Sequence, residues 1–449
     1  MVLAACYRRV AAALALILVP LSAGCIEFST AQRLGMEQNA NYNIEAKSAA
    51  VGDANGDGRT DVAFFVDGFG SQDPSMNFMA YVYEQQADGT MWLQSRFTLA
   101  PGGTPRYEVN TSEFADLDGD GLAEIVLDGQ SSLGILKRSA AGAYSEVASI
   151  ERPFRAAQLM VVDPNEDGIV DILVQGAHGY SIHLGLGNLA FARPTYVLAH
   201  GAATGTVADL DGDNVPDLIG SSRDFSINTG IGLPPGVVAG TQRELFREPL
   251  LLQPIVPDNP WRPAAGSITV GHFPGDAKPQ AAMLYMDVVE SNFIQYFYQT
   301  VAILGWSEDG RLPARAVYRL DDPISTDDPP IRAYDIDADG DDDLVIFRAG
   351  RPRILLQENG TFLPMYMPPN SPSTANANAA LSAHIVDFNG DGCVDIGYPD
   401  RSYSIHYRLD CPTANAQQAK SLRALRTPVA RPAARPVPPK KTKNRQHAR

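Results

Sequence analysis

Cysteine, histidine and long apolar runs are scarce in this chain, and each scarcity removes a class of explanation. Four cysteines in 449 residues cannot staple a disulfide-built scaffold, so the fold must rest on a core. Seven scattered histidines form no H-E-x-x-H pair of the kind that seats zinc on a helix. The nucleophile elbow G-x-S-x-G, the phosphate loop and the dinucleotide fingerprint are also missing. Basic residues are outnumbered, 36 Lys and Arg against 52 Asp and Glu, and a net charge of -16 speaks against nucleic acid as a partner. Apart from Val10 to Pro20, which is too short for a good membrane span, no long apolar run occurs. Apolar residues still make up 45% of the chain, enough for a substantial core and too many for a disordered protein.

What the chain does have is one nine-residue acidic loop written six times. The copies run Asp53 to Asp61, Asp116 to Glu124, Asp163 to Asp171, Asp209 to Asp217, Asp335 to Asp343 and Asp387 to Asp395. Positions 1, 3, 5 and 9 carry oxygen side chains: Asp53, Asn55, Asp57 and Asp61; Asp116, Asp118, Asp120 and Glu124; Asp163, Asn165, Asp167 and Asp171. The other three copies offer Asp209, Asp211, Asp213 and Asp217; Asp335, Asp337, Asp339 and Asp343; Asp387, Asn389, Asp391 and Asp395. Position 7 contributes a backbone carbonyl, from Arg59, Leu122, Ile169, Val215, Asp341 and Cys393. A tight turn that wraps several hard oxygens around one point suits calcium, and about six such sites are expected. Positions 1, 3, 5 and 9 of these loops hold 21 of the 52 acids, and six divalent ions would bring the net charge to about -4. Emptied of metal, the clustered acids should repel one another and loosen the fold.

A seventh, eroded copy reads His272-Phe-Pro274-Gly-Asp276-Ala-Lys278-Pro-Gln280 and keeps only Asp276 among the side-chain ligands. It is expected to bind no calcium; Lys278 either supplies a fixed positive charge there or marks the drift of a dispensable site. Asn214 stands at position 6, where Gly58 and Gly121 stand in other copies, and asparagine is the side chain that best tolerates a left-handed backbone.

Measured between first positions, the seven copies are spaced 63, 47, 46, 63, 63 and 52 residues apart, a period of stacked or radial repeats. Short β-branched runs flank each loop, such as Val161-Val162 before and Ile172 to Val174 after, so the loop reads as a hairpin connection. A second hairpin follows in Val82 to Met91, Ile182 to Phe191 and Ile354 to Phe362, each with a glycine or Asn-Gly turn. Two hairpins per repeat make a four-stranded antiparallel sheet, and the expected fold is an all-β seven-bladed β-propeller, with a flat solenoid as the alternative. The last repeat supplies only two strands after its loop, near Ile396 and Tyr403 to Tyr407. The segment Ile26 to Leu34 is expected to complete that blade and close the ring.

Loop, flanking strands and downstream hairpin together resemble the FG-GAP or VCBS-type repeats of integrin α-subunit propellers and many bacterial surface proteins, over about residues 45 to 410. The resemblance implies the propeller and its calcium; it does not choose among adhesion, sugar binding and catalysis. An EF-hand is excluded because position 12, which there must be a bidentate Glu, is Phe64, Leu127, Val174, Gly220, Ile346 and Tyr398.

Three segments are assigned by composition: a signal peptide at 1–24, the propeller at 25–411 and a disordered basic tail rich in Pro and Ala at 412–449. Leu21-Ser-Ala-Gly-Cys25 resembles a lipobox, which implies a lipid on Cys25 and an outer-membrane address; ordinary signal cleavage would leave a periplasmic or secreted protein. Cys393 and Cys411 then remain, as a bridge or as two thiols. The tail is either a solvated linker or a contact for anionic envelope polymers. Tyr180-Ser-Ile-His183, Tyr403-Ser-Ile-His406 and Phe225-Ser-Ile-Asn228 recur as repeat architecture rather than as catalytic sets.

Long connections at about Val66 to Met79 and Met286 to Ile294, opposite the acidic hairpins, suggest a binding face. Trp261, Arg262, Phe293, Tyr296 and Tyr298 are its candidate anchors for a protein or glycan, with Tyr296 and Tyr298 also suited to packing between blades. The leading expectation is a non-enzymatic, calcium-stabilised binding or adhesion propeller. A lyase-like polysaccharide enzyme and a structural subunit of an envelope assembly are the alternatives.

Overall fold

The computed structural model describes residues 26–35, 45–67, 78–99, 109–129, 132–152, 154–176, 179–198, 202–222, 227–230, 250–252, 265–274, 278–291, 294–307, 312–323, 330–348, 351–366, 382–399 and 402–411. Among these residues the chain forms seven four-stranded antiparallel sheets, each in simple up-and-down order. Blade 1 is Glu45–Gly52, Asp61–Asp67, Met79–Gln85 and Met91–Thr98. Blade 2 is Ser112–Ala115, Glu124–Asp128, Ser132–Arg138 and Tyr144–Glu151. Blade 3 is Gln158–Val162, Asp171–Gly176, Gly179–His183 and Thr195–Leu198. Blade 4 is Ala202–Ala208, Asp217–Ser222, Ile227–Gly230 and Leu250–Leu252. Blade 5 is Ala265–Gly271, Gln280–Ser291, Ile294–Gly305 and Ala314–Pro323, and blade 6 is Ile331–Tyr334, Asp343–Arg348, Arg351–Glu358 and Thr361–Tyr366.

Blade 7 joins the two ends of the described chain. His384–Val386, Asp395–Pro399 and Tyr403–His406 come from the last repeat, and Gln32–Leu34 supplies the fourth strand. It pairs Gln32 with Ile405, Arg33 with Ser404 and Leu34 with Tyr403. Phe28 adds a bridge to Arg408, and the Leu409 amide donates to the Glu27 carbonyl at 2.7 Å. A sheet that takes its edge strand from the far end of the sequence leaves no open edge there.

Strand composition follows from position in the ring. The second and third strands of a blade lie between neighbouring blades, and both their faces are buried, as in Glu124–Asp128, Asp171–Gly176 and Gly179–His183. They therefore carry apolar residues at successive positions, as in Ile125-Val126-Leu127 and Ile172-Leu173-Val174, instead of alternating ones. The fourth strands, Met91–Thr98 and Tyr144–Glu151, face water on one side and alternate.

Seven apolar clusters fill the seven gaps between consecutive sheets. Phe65 and Ala63 of blade 1 pack on Ile125 and Leu127 of blade 2, and Val126 on Ile172 and Val174 of blade 3. Tyr180 meets Leu218, Ile219 meets Met283, and Ile303 meets Ile346. Val345 packs on Ile396, and the last cluster returns Phe388, Tyr403 and Leu34 of blade 7 to Val62 and Phe64 of blade 1.

Hydroxyl and amide side chains knit the innermost strands. The Ser48 hydroxyl lies 2.7 Å from that of Ser112 and 3.1 Å from that of Ser382. Thr111 accepts from the Leu159 amide, Thr204 from Ile268 and Ser267 from Ile331, while the Gln158 side-chain carbonyl accepts from Gly205. Each bond crosses from one blade to the next.

The recurrent Tyr-Ser-Ile-His strands are core. His183 lies 3.2 Å from the Ser181 hydroxyl, and His406 sits between the Tyr398 hydroxyl and the Ser29 carbonyl at 3.0 and 2.9 Å. Burial holds His183 neutral, with its pKa down at about 4. Phe225 lies outside the described residues.

One sequence expectation is corrected in blade 3. The segment Ile182 to Phe191 was expected to be the third and fourth strands of the blade. Instead Gly185–Gly187 and Ala190–Phe191 form a separate two-stranded hairpin, and Thr195–Leu198 is the fourth strand. Gly187, Asn188 and Leu189 all take positive φ, at 80°, 54° and 60°, which turns the chain out of the sheet before it can pair. In blade 6 the analogous Asn359-Gly360 turn, with φ of 51° and 76°, does connect third to fourth strand.

Candidate metal loops

All six acidic loops lie between first and second strands of their blades, on one end of the ring. Their conformation follows from carboxylates folding the backbone around themselves. In every copy the side chain at position 1 accepts the amide of position 6, from 2.7 Å for Gly58 on Asp53 to 3.2 Å for Gly340 on Asp335. The side chain at position 5 accepts the amide of position 7 at 2.8 or 2.9 Å, with Arg59, Leu122, Ile169, Val215, Asp341 and Cys393 as donors. These turns need left-handed backbone at positions 4 and 6. Asn214 meets the requirement at position 6 with φ of 65°, while Glu166 and Ala338 carry it at position 4, with φ of 54° and 65°.

Position 9 is built differently, and sequence reasoning did not separate it. Asp61, Glu124, Asp171, Asp217, Asp343 and Asp395 are all fully buried. One carboxylate oxygen accepts the amide of position 2: Ala54, Leu117, Leu210, Ile336 and Phe388 donate at 2.8 or 2.9 Å. The other accepts from the end of the third strand, from Gln85 to Asp61, Gly185 to Asp171, Gln357 to Asp343 and Arg408 to Asp395. This acid ties the loop to both hairpins of its blade.

Blade 3 breaks the pattern, because position 2 is Pro164 and has no N–H to donate. Asp171 Oδ2 is consequently buried with no hydrogen-bond partner. A carboxylate oxygen left so in the interior is costly, and its geometry calls for a cation.

Oxygens converge in three loops. Carboxylate atoms of Asp116, Asp118 and Glu124, of Asp209, Asp211 and Asp217, and of Asp335, Asp337 and Asp339 lie within 4.8 Å of one another. Burial raises Asp61, Asp171, Asp343 and Asp395 to a pKa of about 7, and it raises Asp337 to about 6, with repulsion from Asp339 adding to the rise. Without a counter-ion these acids resist ionising. An all-oxygen set of this charge fits a hard divalent cation such as calcium, held by positions 1, 3, 5 and 9 with the position-7 carbonyl.

Two loops already contain a basic side chain. The Arg59 guanidinium pairs with Asp57 and donates from Nε to the Gln85 carbonyl at 2.8 Å. In blade 2 the Lys137 ammonium sits among Asp118, Asp120 and Glu124.

In the eroded copy, Gln280 replaces the position-9 acid and inverts its bond, donating from Nε2 to the Phe273 carbonyl at 2.7 Å. Lys278 reaches the neighbouring loop of blade 4, donating to the Asp211 carbonyl at 2.6 Å. Asp276 lies outside the described residues.

The cysteines at the end of the ring form a disulfide, Cys393 with Cys411, which anchors the blade 7 loop to the residue where the described chain ends. Arg408, buried beside it, donates to the Ile336 carbonyl in the blade 6 loop.

On the opposite end, the connection Met286 to Ile294 is not a loop. Gln280–Ser291 and Ile294–Gly305 pair continuously from Gln280↔Gly305 to Ser291↔Ile294, whereas the first strand of the blade pairs only as far as Tyr285. Blade 5 thus extends a ribbon beyond its innermost strand. Tyr296 and Tyr298 are on this ribbon, and the Arg319 guanidinium carbon lies 5.0 Å from the centre of the Tyr298 ring. Trp261, Arg262, Phe293 and Cys25 lie outside the described residues, as does the 412–449 tail.

Two parts of the chain, residues 53–127 and 335–398, match the model of the FG-GAP-like repeat, so the chain carries FG-GAP-like repeats. No curated protein matches it. Among solved structures it is similar to an Agrocybe aegerita lectin that recognises non-reducing terminal N-acetylglucosamine, at 15% identity over 83% of this chain and 96% of that one, with a TM-score of 0.49. A Bacillus licheniformis rhamnogalacturonan lyase is 14% identical over 86% of this chain and 76% of its own, also with a TM-score of 0.49. At such identities and scores, function has to be argued from the residues of this chain.

Proposed function

We propose that this protein is a calcium-stabilised binding propeller, in which the acidic loops hold metal at one end of the ring and the opposite end presents a ligand face. The observation that carries the metal reading is Asp171 Oδ2, a fully buried carboxylate oxygen with no donor, in a loop where burial and then repulsion from Asp167 and Asp163 oppose its charge. Calcium supplies the missing positive charge in such a loop. The residues around it do the rest: position 1 and position 5 acids fold the turn, and the position-9 acid locks it to the blade. The metal role is structural, since each loop fixes the ends of strands that belong to different hairpins.

The blade 5 ribbon is the leading candidate for the ligand contact. It projects beyond the first strand of its blade and carries Tyr298 stacked beneath Arg319, a planar aromatic and cationic pair suited to a sugar ring or a protein side chain. Export, with anchoring through a lipid on Cys25, completes the proposal. It places a calcium-dependent fold where free calcium is plentiful.

Two measurements test it. Chelation of the purified protein should lower its melting temperature and calcium should restore it; a melting curve indifferent to both rejects the metal role. A glycan array and a crosslinking capture, run with wild type and with Tyr298→Ala, should show a ligand that the variant loses. Turnover of a polysaccharide without such binding would favour an enzymatic role instead.

A further inference from the structure

Blade 2 differs from blades 1, 3, 6 and 7 in what faces its position-9 acid. Lys137 Nζ lies 2.5 Å from Asp118 Oδ2, 2.8 Å from Asp120 Oδ2 and 2.8 Å from Glu124 Oε1. An ammonium has three N–H donors, and here all three meet carboxylates at positions 3, 5 and 9 of one loop. Those are oxygens a divalent ion would take.

The sequence around this contact is matched to it. Lys137 comes one step past the pair Ile125↔Leu136, directly across from position 9. One step past Val62↔Tyr83, Ile172↔His183, Leu344↔Leu355 and Ile396↔His406, the corresponding places hold Glu84, Leu184, Leu356 and Tyr407, none of them cationic. Blade 2 is also the one with Glu at position 9 in place of Asp. Its extra methylene lets Glu124 Oε2 keep the usual bond from the Leu117 amide while Oε1 turns to the ammonium. In blades 1, 3, 6 and 7 that second oxygen accepts a backbone amide instead.

We propose that Lys137 is a tethered cation that closes the blade 2 loop without metal, so that calcium must displace it and blade 2 is the weakest calcium site of the six. The occupancy half of this inference rests on the calcium reading above; the metal-free half does not. Blade 2 thereby stays folded when calcium is removed, and it fills last as calcium rises, which makes it the graded site of an otherwise saturated ring. The positive charge of Lys137 is itself stabilised: burial opposes it, but Asp118, Asp120 and Glu124 together raise its pKa above the ordinary lysine value.

The test is Lys137→Met in the full chain, which keeps the hydrocarbon stem and removes the charge, with Lys137→Gln as a second neutral variant. Terbium luminescence and calorimetry with calcium read the sites, and melting in chelator reads the metal-free fold. Wild type should show a weak class of one site, tightened on the order of tenfold or more in both variants, and both variants should melt lower than wild type in chelator. A variant that folds only with calcium present is the same result in stronger form. Unchanged weakest-site affinity together with unchanged melting in chelator would overturn the proposal. If wild type binds neither terbium nor calcium while the variants still lose metal-free stability, the calcium reading fails and the tethered lysine stands. If wild type binds calcium equally at all sites and the variants change nothing, the lysine inference alone fails.

Discussion

Replacing Pro164 by alanine should stabilise the metal-free protein, an unusual direction for a substitution that removes a proline. Pro164 occupies position 2 of the blade 3 loop, where Ala54, Leu117, Leu210, Ile336 and Phe388 each donate an amide to the position-9 carboxylate. Alanine restores that amide to Asp171 Oδ2, now without a partner. A hydrogen bond to a charged group contributes about 1.5–3 kcal/mol, and losing proline's restriction of the unfolded chain costs about 0.4–1 kcal/mol. The net gain is therefore about 0.5–2.6 kcal/mol, which for a chain of this size moves the melting temperature by about 0.5–3 °C, scaling the usual entropy per residue. The assay is denaturant and thermal unfolding at pH 8, where Asp171 is ionised, in chelator and again in saturating calcium. With calcium bound, Asp171 Oδ2 has a cation, so the substitution should gain little or lose slightly. Equal gains in both media would show that metal does not reach Asp171, and a loss in chelator would refute the assignment of the orphaned oxygen to proline.

Three further outcomes are expected. Asp61, Asp171, Asp343 and Asp395 have folded pKa values raised to about 7 from an ordinary 3.8, so in chelator their contribution to stability is full below about pH 4 and is lost as pH rises through 7. The metal-free protein should thus melt lower at pH 8 than at pH 5.5, and saturating calcium should abolish or reverse that slope, as melting curves at the two pH values will show. Leu34→Ala, which empties a buried place in the strand that closes blade 7, should cost about 2–4 kcal/mol by denaturant unfolding, whereas its exposed neighbour Gln32→Ala should cost about 0.5 kcal/mol or less. Cys411→Ser should cost about 2–4 kcal/mol, from the 18-residue separation of the bridged pair, and reductant should reproduce the loss in wild type but not in the variant.

The repeats were legible because their signals are local. A D-x-D/N-x-D-G run imposes its own turn through bonds between residues a few places apart, so spacing alone located the six loops and the eroded one. Closure by residues 26 to 34 was legible for a similar reason: the last repeat lacked one strand, and that segment, before the first repeat, has a strand-like start. Legibility ended where the deciding partner lies across a sheet. Lys137 and Glu124 are thirteen residues apart, and only the pairing Ile125↔Leu136 brings them face to face. What Pro164 withholds is visible only beside the five amides that the other loops place on their position-9 acids. The blade 3 hairpin was misplaced because Gly187, Asn188 and Leu189 read as a turn without saying which strands it joins. Position 9 was read only as a metal ligand, and its tie to the end of the third strand requires the fold to be seen. The anchors chosen by aromatic character fared differently, with Tyr298 on a projecting ribbon under Arg319 and Trp261, Arg262 and Phe293 outside the described residues.

The most direct test of the central claim is a crystal structure from calcium-containing solution, with anomalous data to mark the ions. The account predicts metal in the loops beginning at Asp53, Asp163, Asp209, Asp335 and Asp387, with the ion in blade 3 bound to Asp171 Oδ2 and none at His272. Blade 2 should hold either Lys137 or, at higher calcium, an ion with the lysine displaced. Acidic loops without anomalous density at millimolar calcium, in a ring that melts the same with and without chelator, would contradict it.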